Sequence, residues 1–210
     1  MPNMLIRRTA AIGAAAIAIA GISAGQAQAS SHRPTAPRHF LEKQGMYVAG
    51  FDAAVAKAHG YKIVTYANGD MQSVPINPRS GLPKGTLVKA SHGVITPDNS
   101  ASSGKIPGDC GDSWINGVQT GPHKITLTSG FDVDIPAVKY RWKILLRDIN
   151  GDSEQGDGGE LLEDFSWTGK WEDLNQYVFS VDQVENNSYA ILTDGETCYS
   201  GGPLIDWDIE

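Results

Sequence analysis

Residues 131–147 read FDVDIPAVKYRWKILLR, and this stretch decides the fold class. Apolar and charged side chains alternate through both halves of it. Successive side chains of a strand point to opposite faces, so such a run has one buried and one wetted face. The same alternation recurs at 177–181 and 205–209. Several such runs, separated by Gly, Asn and Asp, predict an all-β fold, either an antiparallel sandwich or an open barrel.

The part of the chain before these runs has a different composition. Residues 30–38 are polar and contain proline, which predicts a disordered arm. Residues 41–59 are rich in Ala and Lys and predict a short helix. Residues 61–74 read as a hairpin with Asn68-Gly69 as its type I′ turn.

Pro, Gly, Ser and Asn dominate from residue 75 to residue 108, a composition typical of a linker or long loop. We therefore predict two regions after the N-terminus. Residues 30–104 form the arm, helix, hairpin and linker, and residues 105–210 form the β-domain.

The chain begins with the pattern of an export signal. Arg7 and Arg8 precede an uncharged run of Ala, Ile and Gly, and 27–29 (AQA) supplies small residues before a cleavage site. The run is shorter than the roughly 20 residues that cross a bilayer. The sequence therefore predicts a signal peptide at 1–29. The mature protein is expected to be secreted, extracellular and without a membrane anchor.

Acidic residues are concentrated in the last third of the chain. Residues 30–140 hold 11 Lys and Arg against 8 Asp and Glu, whereas residues 141–210 hold 4 against 16, a net charge of −12. Binding to nucleic acid or anionic lipid needs clustered Lys and Arg. The sequence therefore predicts neither as a partner. It favours solubility, a cationic partner or a divalent ion.

Cys110 and Cys198 are the two cysteines of the chain. An even number of cysteines in an exported protein predicts one disulfide, and two free buried thiols are the alternative. A zinc site is disfavoured because the chain has no C-x-x-C motif and its five histidines show no ligand spacing.

Five motifs follow one another along the chain: GDCGDSW at 108–114, TSGF at 128–131, YRW at 140–142, NSYAILTDG at 187–195 and CYSGGP at 198–203. With AHGY at 58–61, they make residues 55–205 resemble a group of small secreted actinomycete β-rich proteins of uncharacterised function. The resemblance implies that Cys110 pairs with Cys198 and that the protein belongs to a Gram-positive secretome. It implies no activity.

The acidic segment 148–160 (DINGDSEQGDGGE) is a candidate metal site. Asp148, Asn150 and Asp152 match the first three ligand positions of a calcium-binding loop, and Asp157 adds a further oxygen donor. The glycine and the glutamate that such a loop requires later are out of place. We therefore favour a solvated acidic hairpin loop, with a weak calcium site at these four residues as the alternative.

Tryptophan is the second candidate for a binding function. Trp142 and Trp207 lie on the apolar faces of their runs and are predicted to fill the core. Trp167 and Trp171 flank residues 168–170 (TGK), which read as a turn. The pair is therefore predicted to be exposed, where flat aromatic rings can stack on sugars.

No motif predicts a catalytic residue. Ser200-Gly-Gly-Pro is similar to the nucleophile segment of chymotrypsin-like proteases, but Cys198-Tyr199 stand where that segment has Gly-Asp. The 16 acids of residues 141–210 include many pairs, and nothing singles out a glycosidase pair.

The sequence predicts a secreted, non-catalytic binding or interaction module for a polysaccharide, a cell-wall surface or another protein, with no cofactor. The alternatives are a secreted hydrolase whose carboxylates are not located, and an inhibitor that presents residues 148–160 to an extracellular enzyme.

Overall fold

The structure, a computed structural model, describes residues 39–90, 108–177 and 179–207. The predicted signal peptide at 1–29 and the predicted arm at 30–38 lie outside these residues. Within them the chain is mostly β-strand with one short helix, which confirms the all-β prediction.

Ten strands and one short helix make up the described part of the chain. In chain order they are β1 (His39–Phe51), α1 (Ala53–Ala58), β2 (Tyr61–Thr65), β3 (Met71–Pro75), β4 (Gly111–Gly121), β5 (Lys124–Asp148), β6 (Gly151–Asn175), β7 (Ser180–Val184), β8 (Tyr189–Leu192), β9 (Glu196–Tyr199) and β10 (Leu204–Trp207).

Five antiparallel strands close into a barrel. The ring of paired neighbours runs β5, β4, β1, β9, β8 and back to β5. β7 also pairs with β5, and β10 pairs with β7. β2 and β3 form a separate hairpin. Of the two predicted architectures the structure therefore has the barrel, and the barrel is closed instead of open.

The stretch 131–147 lies within β5 and supplies much of the core, as its alternation predicts. Phe131, Trp142 and Ile144 are fully buried, whereas Arg141 between them is exposed. The indole N–H of Trp142 donates to Ser129 Oγ at 2.9 Å, so burying this ring leaves no unpaired donor. β5 also contributes Leu127, and other strands complete the core with Met46, Val48, Ile115, Ala190, Leu192 and Ile205.

β5 serves two sides of the barrel because it is interrupted near its middle. Its register with β6 shifts between Asp132 and Ala137. Pro136 lies in this interval and has no N–H to give to a neighbouring strand. A bulge of this kind bends a strand. β5 pairs with β4 before the interruption and with β8 after it.

The predicted disulfide is confirmed. Cys110 and Cys198 are bonded, with their Cα atoms 6.2 Å apart and the two residues 88 positions apart in sequence. Cys110 precedes β4 and Cys198 lies in β9, the two strands that flank β1 in the ring. The bond therefore ties together the two neighbours of β1.

The short helix predicted within 41–59 is present, but it covers only the end of this range. Residues up to Phe51 belong to strand β1, and only Ala53–Ala58 is helical. Pairing with β4 and β9 overrides the local helix propensity of Ala and Lys. Asp52 begins the helix by accepting hydrogen bonds from two backbone N–H groups of the first turn.

The predicted boundary between residues 104 and 105 does not divide the fold. The described residues belong to one compact unit, and β1 from the predicted extension is a strand of the barrel. Part of the predicted linker is also packed. Its residues 76–90 run beside β3, where Gly85 N donates to Ser73 O and Val88 exchanges hydrogen bonds with Met71. Residues 91–107 lie outside the described part.

The predicted hairpin is present as β2 and β3, but its turn is not type I′. A type I′ turn needs positive φ at both central residues. In this loop Gly69 has φ +87°, and Asn68 does not have positive φ. Tyr66 N donates to Asp70 O, so the loop has three residues, with the glycine in the left-handed conformation.

The buried face predicted at 177–181 is also wrong. Tyr177 and Phe179 are exposed, and the residues of β7 that point inward are Ser180, Asp182 and Val184. The Asp182 carboxylate accepts hydrogen bonds from Gln176 Nε2 and, at 2.6 Å, from Trp207 Nε1. Burial raises the pKa of Asp182 to about 7.

Candidate functional site

Trp167 and Trp171 do not flank a turn, because residues 168–170 continue strand β6. Both rings lie on one face of β6, over Gly169. The ring of Trp167 lies 4.4 Å from that of Tyr140, between centroids, and also contacts the rings of Phe131 and Trp142. Both tryptophans are half-buried and pack against the core. The flat, open platform that the sequence predicts is therefore not formed.

Replacing these two tryptophans is expected to have unequal effects on stability. Trp167→Ala removes contacts with three core rings and should lower the free energy of unfolding by about 3 kcal/mol. Trp171→Ala loses an edge contact with Trp167 and should cost clearly less. Urea denaturation of the two variants measures the difference. Equal, small losses would mean that both rings are surface residues.

The four predicted calcium ligands are spread along the β5–β6 hairpin. Asp148 Oδ1 accepts from Asn150 N at 2.7 Å, at the tip of the hairpin. Asp152 forms a two-pronged ion pair with Arg147, at 3.0 and 3.3 Å. Asp157 lies five residues further along β6, roughly 16 Å away at the rise of a strand, and accepts from Tyr140 Oη.

The hairpin therefore does not bring these four residues together. Within residues 39–90, 108–177 and 179–207, no group of three or more His, Cys, Asp or Glu side chains is arranged to hold a metal ion. The acidic loop of the sequence is mostly strand, and only its first residues form a turn.

Ser200 is a structural residue. It is fully buried, its Oγ donates to Ser113 Oγ at 3.0 Å, and it accepts from Gly202 N at 3.1 Å. These bonds hold the Gly-Gly-Pro turn against β4.

Strand β6 is the feature that the sequence did not reveal. It runs for 25 residues, is exposed along most of its length and, among the described strands, pairs with β5 alone. Its second edge is open. The glycines and acids of 151–160 indicate a loop by composition, and a long edge strand forms there because β5 offers an equally long partner.

The backbone groups on the open edge can be assigned for the first half of β6. Successive residues of a strand direct their N–H and C=O groups alternately to either side. The Gly158 N–H donates to Asp157 Oδ1 at 2.8 Å, so it does not face β5. The register with β5 is unbroken from Gly151 to Glu160. The outward groups therefore belong to the even-numbered residues Asp152, Glu154, Gly156, Gly158 and Glu160.

The side chains of this hairpin form two stripes of opposite charge. Paired residues of neighbouring strands share a face. The outer face of β5 carries Lys139, Arg141, Lys143 and Arg147, and the same face of β6 carries Asp152, Glu154 and Glu160. Arg147 pairs with Asp152, and Lys143 pairs with Glu154. An acidic stripe thus lies along the open edge.

A second acidic feature lies inside the molecule. Asp194 and Glu196 are buried where the turn between β8 and β9 meets residues 85–86. Thr86 N donates to Glu196 Oε1, and Glu196 N donates to Asp194 Oδ1 at 3.0 Å. A Cβ on Gly85 would overlap Glu196 Oε1 and lie 2.6 Å from Asp194 Oδ2. Both carboxyl groups therefore point at the same glycine.

Burial, together with the like charge of the neighbouring Asp194, raises the pKa of Glu196 to about 8. Burial also raises the pKa of Asp194, whose Oδ2 has no hydrogen-bond partner among the described residues. Two carboxyl oxygens that meet at one point resemble the roughly 5 Å pair of a retaining glycosidase. Gly85 and Thr86 cover this pair, however, and leave no room for a sugar.

The chain matches no known protein family, no curated protein and no solved structure. The resemblance to small secreted actinomycete proteins therefore stays a prediction. No helix in the described part of the chain is long and apolar enough to cross a membrane.

Proposed function

We propose that the protein is a secreted, non-catalytic binding module that engages an extracellular polymer or another protein through the exposed strand β6. The open edge of β6 is the observation that supports this function. Long, unpaired strand edges are sites where another chain can add. The Cys110–Cys198 disulfide agrees with secretion, because such bonds persist in oxidising compartments.

Two further observations favour binding over hydrolysis. Ser200 is enclosed by Ser113 and Gly202, and the Asp194–Glu196 pair is covered by residues 85–86. A substrate would reach neither group in this conformation. The edge of β6 also favours a polypeptide ligand over a polysaccharide, because a strand edge is recognised by the regular amide groups of another chain.

Sedimentation with insoluble polymers tests this function. The secreted protein is mixed with chitin, with cellulose, and with purified bacterial cell wall before and after protease treatment. We expect it to sediment with at least one of these. Loss of binding after protease treatment identifies a protein partner, and retained binding identifies the polymer.

A matched pair of variants connects the binding to β6. Glu154→Pro with Glu160→Pro removes two outward N–H donors, whereas Glu154→Ala with Glu160→Ala removes the same carboxylates and keeps the donors. We expect the proline variant to bind about tenfold or more weakly than the alanine variant, since an edge strand tolerates proline, which has no N–H to donate. Binding to none of the polymers, or release of reducing sugar or peptide, would contradict the proposal.

A further inference from the structure

We propose that the partner of β6 is an extended, lysine- or arginine-rich polypeptide segment that adds as a further strand along residues 152–160. This inference rests on the proposed function and names the partner class for the same edge. The backbone of β6, its glycines and its charge pattern each support it.

The backbone of this segment is available for pairing. Five residues direct their N–H and C=O groups outward, and one of these N–H groups, that of Gly158, is held only by the neighbouring Asp157 carboxylate. An incoming carbonyl oxygen can replace that carboxylate. Gly156, Gly158 and Gly159 weaken the strand by themselves, and glycine within a strand marks a place where another backbone approaches closely.

The charge pattern specifies which strand fits. β5 is the one strand that pairs with β6 among the described residues. On the face that it shares with the acidic stripe, it carries Lys or Arg at four positions from Lys139 to Arg147. An added strand with basic residues on the same face would place them about 5 Å from the acidic stripe. The basic stripe of β5 would then lie one strand further away.

A second copy of the chain fits this edge poorly. Residues 151–175 contain eight acids and one lysine, a net charge of −7. Two copies joined edge to edge would place acids opposite acids, which destabilises strand pairing. The acidic stripe thus disfavours self-association and leaves the edge open to a basic chain.

The probe is an end-blocked, dye-labelled peptide of alternating lysine and threonine, about ten residues long, the upper length of an ordinary strand. Two control peptides have the same length. One alternates glutamate and threonine. The other alternates lysine and proline, which keeps the positive charge but removes the backbone N–H at every second residue and so prevents regular strand pairing. Binding is measured by fluorescence anisotropy at about 0.02 M and about 0.2 M salt.

We expect the lysine–threonine peptide to bind at least about tenfold more tightly than either control. Its affinity should fall at the higher salt concentration. Asp152→Asn, Glu154→Gln and Glu160→Gln, combined in one variant, should weaken binding about tenfold or more while the backbone edge remains. Hydrogen exchange on the wild type should show new protection at the even-numbered amides of 152–160 and none at the odd-numbered amides, which already face β5.

Equal binding of the lysine–threonine and lysine–proline peptides would show attraction without strand pairing and would overturn the inference. New protection outside β6, or no binding of the lysine peptide, would also overturn it. In each of these cases the proposed function can still hold. It holds if the protein sediments with cell wall and the proline variant loses this binding relative to the alanine variant.

Discussion

Raising the pH from 4.5 to about 8 is expected to lower the free energy of unfolding by several kcal/mol. In the folded protein, burial raises the pKa of Glu196 from its ordinary 4.5 to about 8. The folded chain therefore keeps a proton that the unfolded chain releases, and stability falls wherever the folded state binds more protons. The contribution is complete below pH 4.5 and is lost as the pH rises through 8.

Among the described residues, no cation forms an ion pair with Glu196. Asp194 and Asp109 act on it with like charge, and Tyr61 faces the same two buried carboxyl groups. None of the ion pairs found in the described residues includes Glu196 or Asp194. At alkaline pH the ionised pair should therefore loosen the contact between β9 and residues 85–86.

Glu196→Gln is the variant that tests this expectation. The amide keeps the shape of the side chain and cannot ionise, so the variant should be more stable than the wild type at pH 8 and should lose less stability between pH 4.5 and 8. Asp182, whose pKa is raised to about 7, still makes the stability of the variant depend on pH. Urea titrations at several pH values measure the effect. Exposed Glu172→Gln is the matched control, and identical pH profiles for all three proteins would contradict the prediction.

Cys198→Ser is expected to lower the free energy of unfolding by about 4–5 kcal/mol. The disulfide closes a loop of 88 positions, and in the chain-entropy account a loop of that length gives a stabilisation of this size. The serine also leaves a hydroxyl in a fully buried position. Thermal and urea denaturation of the oxidised protein, with and without the substitution, measure the loss.

Two controls separate the crosslink from the change of side chain. Cys110→Ala with Cys198→Ala removes the bond without adding a buried hydroxyl, and reduction of the wild type with dithiothreitol removes it without any substitution. All three should reduce stability by several kcal/mol. An unchanged denaturation midpoint in the double alanine variant would show that the bond contributes nothing.

The core strands β5 and β10 could be predicted from the sequence because each carries its own pattern. The alternation from Tyr140 to Leu146 has one physical cause, a buried face beside a wetted face, and it needs no knowledge of the neighbouring strands. Trp207 and Ile205 were placed correctly for the same reason.

The elements that the sequence missed depend on distant partners. β1 is a strand because it pairs with β4 and β9, although its composition favours a helix. The glycines and acids of β6 have low strand propensity, and only the length of β5 holds them extended. The Asp194–Glu196 site was missed because it is completed by Thr86, which is 110 positions away from Glu196.

The position of β1 in the ring determines when the protein can fold. β1 is the first strand in the described chain, and one of its two neighbours is β9, where Tyr47 pairs with Tyr199. The barrel therefore cannot close until the chain has been synthesised as far as β9. Strands that pair across such long separations form slowly, because much of the chain must be ordered before the contact is made. If the protein is secreted as proposed, late closure would keep the chain unfolded during export.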